Sequence, residues 1–164
     1  MAKGVYAPRV EILYEDETNR HAVEKNVHLV VWFDAPNVEQ MIEYGRCADA
    51  VAKRNPSGSA LLNLVVDGMP RFSGEVREAA KKHTQKGLHT VGAAHVILVP
   101  GLLGSAVRGF LGTTVLLGRP KNPTKVFGDL DAATRWMLGR LHDAGGPRWS
   151  ADDLLATCQR ALQR

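Results

Sequence analysis

A mixed α/β sheet covered by helices is the fold this sequence predicts, and three observations predict it. Short apolar runs alternate with amphipathic stretches at helical spacing four times along the chain. The stretch Ala60 to Gly74, ALLNLVVDGMPRFSG, reads as a buried strand, Leu61 to Val66, that turns at Asp67-Gly68 and delivers the chain to a helix beginning near Ser73. Val91 to Val99 repeats the pattern: an apolar strand stops at Pro100-Gly101 and leads into an apolar helix. Alternation of this kind makes the later strands mainly parallel, linked by right-handed crossovers.

Each element has a local reason. Arg9 to Tyr14 alternates apolar and polar residues and reads as a half-buried strand. The polar EDETNR follows, and HAVEKN reads as a weak returning strand. Val27 to Phe33, VHLVVWF, is apolar enough for a central strand. Pro36 ends it, because a proline disfavours helix at the residue before it. Asn37, with Gln40 three residues on, forms a capping box for a helix whose inner side is Val38, Met41, Ile42, Gly45, Ala48 and Ala52. Asn55-Pro56-Ser57-Gly58 stops that helix.

After the strand at 61–66, Ser73 caps a second helix with Val76, Ala79, Ala80 and His83 inside. Lys81, Lys82 and Lys86 lie towards its C-terminal end, where cations complement the helix dipole. Gly87 is a stop. Leu102 to Leu117 is a third helix. Thr124 to Phe127 is a short last strand. Asp129 or Asp131 caps a fourth helix with Leu130, Ala133, Trp136, Met137 and Leu141 inside. After Gly145-Gly146-Pro147, Ser150 and Asp153 form another capping box for a last helix, with Trp149 and Leu154 as its staple and Leu154, Leu155, Cys158 and Leu162 as its apolar stripe.

Bulk properties narrow the function classes. With 164 residues, 45% hydrophobic and 23% charged, the chain is long and apolar enough for one good core, which excludes a disordered segment. No apolar signal core opens the sequence, so a cytoplasmic protein is expected. Cys47 and Cys158 are far apart and have no metal spacing, so reduced, buried thiols are expected. The window Val96 to Leu117 contains one charge, Arg108, but Pro100 and the glycines fit strand–turn–helix better than a membrane span. Between Arg71 and Lys125 there are nine Lys or Arg and two acids, Glu75 and Glu78. A basic middle of this kind suits nucleic acid, an anionic membrane or an acidic partner, but it lacks the interleaved aromatics that stack bases, so nucleic acid is not expected.

Catalytic and metal patterns fail on inspection. His83, His89 and His95 recur every six residues, which distributes them over a helix, a loop and a strand, so no metal is expected. Gly104 to Gly109, GSAVRG, has phosphate-loop glycines, but Phe110 stands where Lys is required. These glycines suit close helix packing. Asp34 and Asp67 each follow a strand and would share the ligand-binding edge of a parallel sheet, yet each is explained as a turn or helix cap. The chain is accordingly read as a non-enzyme with no cofactor.

Three stretches resemble the STAS superfamily, and in particular its SpoIIAA-like, SEC14-like bacterial members: LLNLVVDGMPRFSG at 61–74, VILVPG at 96–101 and TKVFGDLDAATRWML at 124–138. The resemblance covers residues 9 to 142. It implies a sheet of four or five strands with helices mainly on one face, which makes residues 1–142 the STAS-like domain and 143–164 an extra helical appendage, placed on the domain or on a second subunit. It also implies a regulatory or protein-interaction module, in which Ser73 matches the family's phosphorylated serine. A phosphate there would meet free helix N–H groups with Arg71 and Asp67 near by. The partner surface is then the second helix with Lys81, Lys82 and Lys86. The alternative is a carrier or sensor of a lipid-like or small anionic ligand, with the 102–117 helix as a pocket wall and Arg108 at its mouth.

Overall fold

The computed structural model describes residues 6–68, 73–85 and 90–164. Among them are six strands and five helices: β1 (Glu11–Glu15), β2 (Asn19–Glu24), β3 (Val27–Trp32), α1 (Val38–Arg54), β4 (Ser59–Val65), α2 (Gly74–Gln85), β5 (Thr90–Ile97), α3 (Gly101–Gly118), β6 (Thr124–Phe127), α4 (Leu130–Ala144) and α5 (Ala151–Leu162). One sheet holds the strands in chain order, β1 to β6. The first three are antiparallel and β3 to β6 are parallel. The mixed α/β class is as expected, with six strands in place of four or five.

The strand order fixes where the helices lie. Three successive crossovers in one direction along the sheet, sharing one hand, must put α1, α2 and α3 on the same face. The buried clusters agree: Met41 and Val76 meet Val30 and Trp32 on that face, and Val107 meets Ile97 and Val99. After β6 the chain passes to the other face, where α4 and α5 build the largest core. Met137, Leu141, Leu154 and Cys158 cover Leu29, Val31, Leu62, Leu64, Ala94 and Val96 there, and every one of these is at most 1% exposed. The helices therefore form two layers, where one main layer was expected. The close crossing of α4 over β5 depends on Gly92, where a Cβ would come within 3.2 Å of Arg140 Cγ and 3.3 Å of Met137 Sδ.

Residues 143–164, expected as an appendage, supply α5, whose Leu154, Cys158 and Ala161 lie in the same core as Met137. The helix is tied down further by polar contacts. Arg20 Nη1 donates to the carbonyls of Ala161 and Gln163, Thr157 Oγ1 donates to Glu24 at 3.1 Å, and Trp149 Nε1 donates to Asn26 Oδ1 at 3.0 Å. Trp149 and Leu154, the staple pair, are both buried. Both cysteines are free and buried.

The expected caps are in place. Asn37 and Gln40 form the full capping box of α1, and Asp129 and Ser150 accept from Ala132 N and Asp153 N. The inner side of α1 is rotated from expectation: Gln40, Cys47 and Val51 are buried and Ile42 is 62% exposed. The cause is Asp16, in the β1–β2 turn. Burial alone would raise its pKa, but donors from Gln40, Thr18, Tyr14 and Asn19 hold the carboxyl below its usual value. Gln40 is thereby pulled under the helix.

Candidate functional site

The parallel strands end at one edge, the place where open α/β sheets bind ligands. Pairing of Trp32 with Val65, and the bond from Val66 N to Trp32 O at 2.9 Å, continues β3 and β4 in register, so Asp34 and Asp67 are neighbours at that edge. Each carboxylate accepts from the next backbone N–H, Asp34 from Ala35 and Asp67 from Gly68, at 2.7 Å. Gly68 has φ +98°, and a Cβ there would lie 2.7 Å from Ala35 N. The two turns therefore pack backbone to backbone, with both acids exposed and employed as turn caps. No group of three His, Cys, Asp or Glu among the described residues could hold a metal ion.

Ser73 is exposed, and its Oγ accepts from Val76 N at 3.2 Å, the geometry of an N-cap. Arg71 and Lys86 lie outside the described residues. Lys81 and Lys82 are exposed on α2. Arg108 is half-buried on α3; its Nη2 donates to Ser105 Oγ at 2.9 Å, and its side chain runs along Gly128. The structure thus brings together Asp34 and Asp67, while Arg108 faces its own helix and the end of β6.

The working features of α3 follow from its sequence. Gly104 lies against the end of β5, where a Cβ would be 1.8 Å from Val99 O; Gly109 and Gly112 have nothing within 4 Å of the same position. Of these three, only Gly104 is needed for close packing. At 100° per residue, Leu102, Leu103, Ala106 and Phe110 fall within one arc of about 100°, with the buried Gly104 on the far side and the buried Val107 flanking the arc. All four are exposed, Leu102 to 91% and Phe110 to 42%. Sequence reasoning registered this helix as apolar but not that one apolar side faces outward. No helix among the described residues is long and apolar enough to cross a membrane.

A polar chain crosses the same face. Trp32 Nε1 donates to Asn63 Oδ1 at 2.5 Å, and Asn63 Nδ2 lies 3.0 Å from His95 Nδ1. The signal for it is Asn63 itself, a lone amide within the apolar run ALLNLVV, which needs a partner once buried. A second polar pair lies beneath α1: His21 Nδ1 and His28 Nε2 are 3.1 Å apart, ringed by Tyr14, Trp32 and Tyr44. Burial lowers the pKa of His21 to about 4, helped by Arg46, and lowers that of His28 to about 3, helped by His21. Both rings are neutral at pH 7. No family model, no curated protein and no solved structure matches this chain.

Proposed function

We propose that this chain is a non-enzymatic binding module of STAS-like type, and that the outward side of α2 and α3 is its working surface. The observation that supports the reading best is the exposed apolar arc of α3. Burying Leu102, Leu103 and Phe110 against a partner is worth about 25 cal/mol per Å² of apolar surface, before the costs of association. Isolated apolar residues on a surface need no explanation, whereas a run of them along one helix side marks an interaction site.

Charge narrows the partner. No carboxylate stands in α3, Lys81 and Lys82 are exposed on α2, and Arg119 and Lys121 are exposed just beyond α3. The occupant is a protein surface with an apolar centre and an acidic rim. The resemblance to STAS regulators at 61–74 and 124–138 supports the same class of function. Within this reading Ser73 is a modification point at one end of the surface: a phosphate would place about two negative charges at the N-terminus of α2 and lower the positive charge of the helix that carries Lys81 and Lys82.

Charge reversal tests the surface. Tagged wild-type chain should retain a discrete acidic protein in stoichiometric amount from extracts of the native organism. Phe110→Glu should lose it by at least about tenfold. The pair Lys81→Glu with Lys82→Glu should weaken retention in proportion to falling salt. Ile12→Glu, an exposed apolar site on β1, should change nothing. Retention that survives Phe110→Glu, or falls equally with Ile12→Glu, rejects the surface.

A further inference from the structure

The two faces of the central strands are covered unequally. On the α4 side Leu62, Leu64, Ala94 and Val96 are fully buried. On the α2–α3 side Leu61, Asn63, Ala93 and His95 remain half-buried. The apolar cluster under α1 and α2 reaches Leu61 and Val65, and the cluster under α3 reaches Val65 and Val126. Asn63, Ala93 and His95 are half-buried and lie as a strip on β4 and β5 between the parts of the sheet that the two clusters reach.

The chemistry of that strip is fixed by the hydrogen bonds crossing it. An indole nitrogen can only donate, so the amide atom facing Trp32 is the oxygen, and the amide nitrogen faces the imidazole. That nitrogen can only donate as well, so His95 Nδ1 accepts and carries no proton. Burial lowers the pKa of His95 to about 4, and the neutral ring therefore holds its proton on Nε2. Nε2 finds no acceptor among the described residues and is not among the sealed buried atoms without a partner. A donor of fixed tautomer, anchored through two strands, faces a half-buried strip and has no acceptor among the described residues.

We propose that this strip, floored by Asn63, Ala93 and His95, binds a small and mainly apolar molecule through one carbonyl-type oxygen that accepts from His95 Nε2–H. The strip offers one neutral donor, and no charged side chain stands among Leu61, Asn63, Val65, Ala93, His95 and Ile97. A multiply charged head group would lose its water there and gain one hydrogen bond, whereas a ketone, aldehyde or ester oxygen needs only one. The site is on the sheet and is independent of the outward arc of α3.

The test uses the whole ¹⁵N-labelled protein and 2-decanone, followed by long-range ¹H–¹⁵N spectra of the histidine rings. The free protein should show His95 as the Nε2–H tautomer, and the ketone should move its ring signals saturably. His95→Phe should weaken binding by about tenfold or more, and His95→Gln, which keeps an N–H donor, should stay within about threefold of wild type. Ala93→Leu fills the strip without touching the ring and should block the ketone as well. An Nδ1–H tautomer, an unresponsive His95, undiminished binding to Ala93→Leu, or tighter binding of decanoate than of the ketone overturns the proposal.

Discussion

At the scale of single residues, the buried histidines make the sharpest prediction. His21 and His28 are at most 3% exposed and stay neutral in the folded chain down to about pH 4 and pH 3, while an unfolded histidine takes up a proton near 6.5. Their contribution is complete above pH 6.5 and is lost as pH falls from there towards 4, because the unfolded state then binds more protons. Each histidine should cost about 1.4 kcal/mol per pH unit across that window. Urea midpoints measured between pH 7 and pH 4 should fall accordingly, and His28→Gln should flatten the fall; a midpoint constant over that range contradicts the burial. Neither histidine was legible as a pair from the sequence. They are seven residues apart on two antiparallel strands, and only the register that sets His21 opposite Val30 and Val23 opposite His28 brings the rings together. Ser73, Asn37, Asp129 and Ser150 were legible, because a cap acts within three residues of itself.

Elements were legible where the reason for them is local, and less so where a distant partner decides. β6 spans Thr124–Phe127 as predicted, and α1, α3 and α4 begin at or within a residue of their expected starts. β2 was the weakest expectation because HAVEKN barely alternates; the strand lies two residues earlier, at NRHAVE, and all six of its residues are buried. Several of its polar groups find partners far along the chain: Asn19 Nδ2 donates to Val31 O at 3.0 Å, Arg20 reaches α5, and Glu24 accepts from Thr157, while Asn19 Oδ1 and His21 Nε2 are buried with no hydrogen-bond partner among the described residues. The same contacts bring α5 into the core. Leu154→Ala should therefore cost about 2–5 kcal/mol, read as a shift in urea midpoint, where a helix lying loosely on the surface would cost well under 1. The glycines of α3 divide in the same way. Gly104→Ala must push the helix from Val99 and should destabilise the protein by about 1–3 kcal/mol. Gly109→Ala meets open space and should stabilise it by about 0.5–1 kcal/mol through helix propensity. Equal effects at the two positions would contradict the packing of α3.

For the whole molecule, the two faces of the sheet are covered differently. One face of the sheet is sealed by α4 and α5 around the largest core. The other has three helices and two smaller clusters, a half-buried strip of β4 and β5 between them, and a helix that turns Leu102 and Phe110 to solvent. Composition showed the basic, apolar middle of the chain but could not show its outward side, since a helix apolar all round reads the same whether buried or exposed. A photo-crosslinking residue placed at position 110, with one at position 12 as control, tests the central claim most directly. One discrete acidic protein should be joined at position 110 and none at 12, with the adduct lost when Lys81 and Lys82 are both changed to Glu. Crosslinking that is equal at the two positions, or absent from 110 in extracts where the wild-type chain retains a partner, would contradict it.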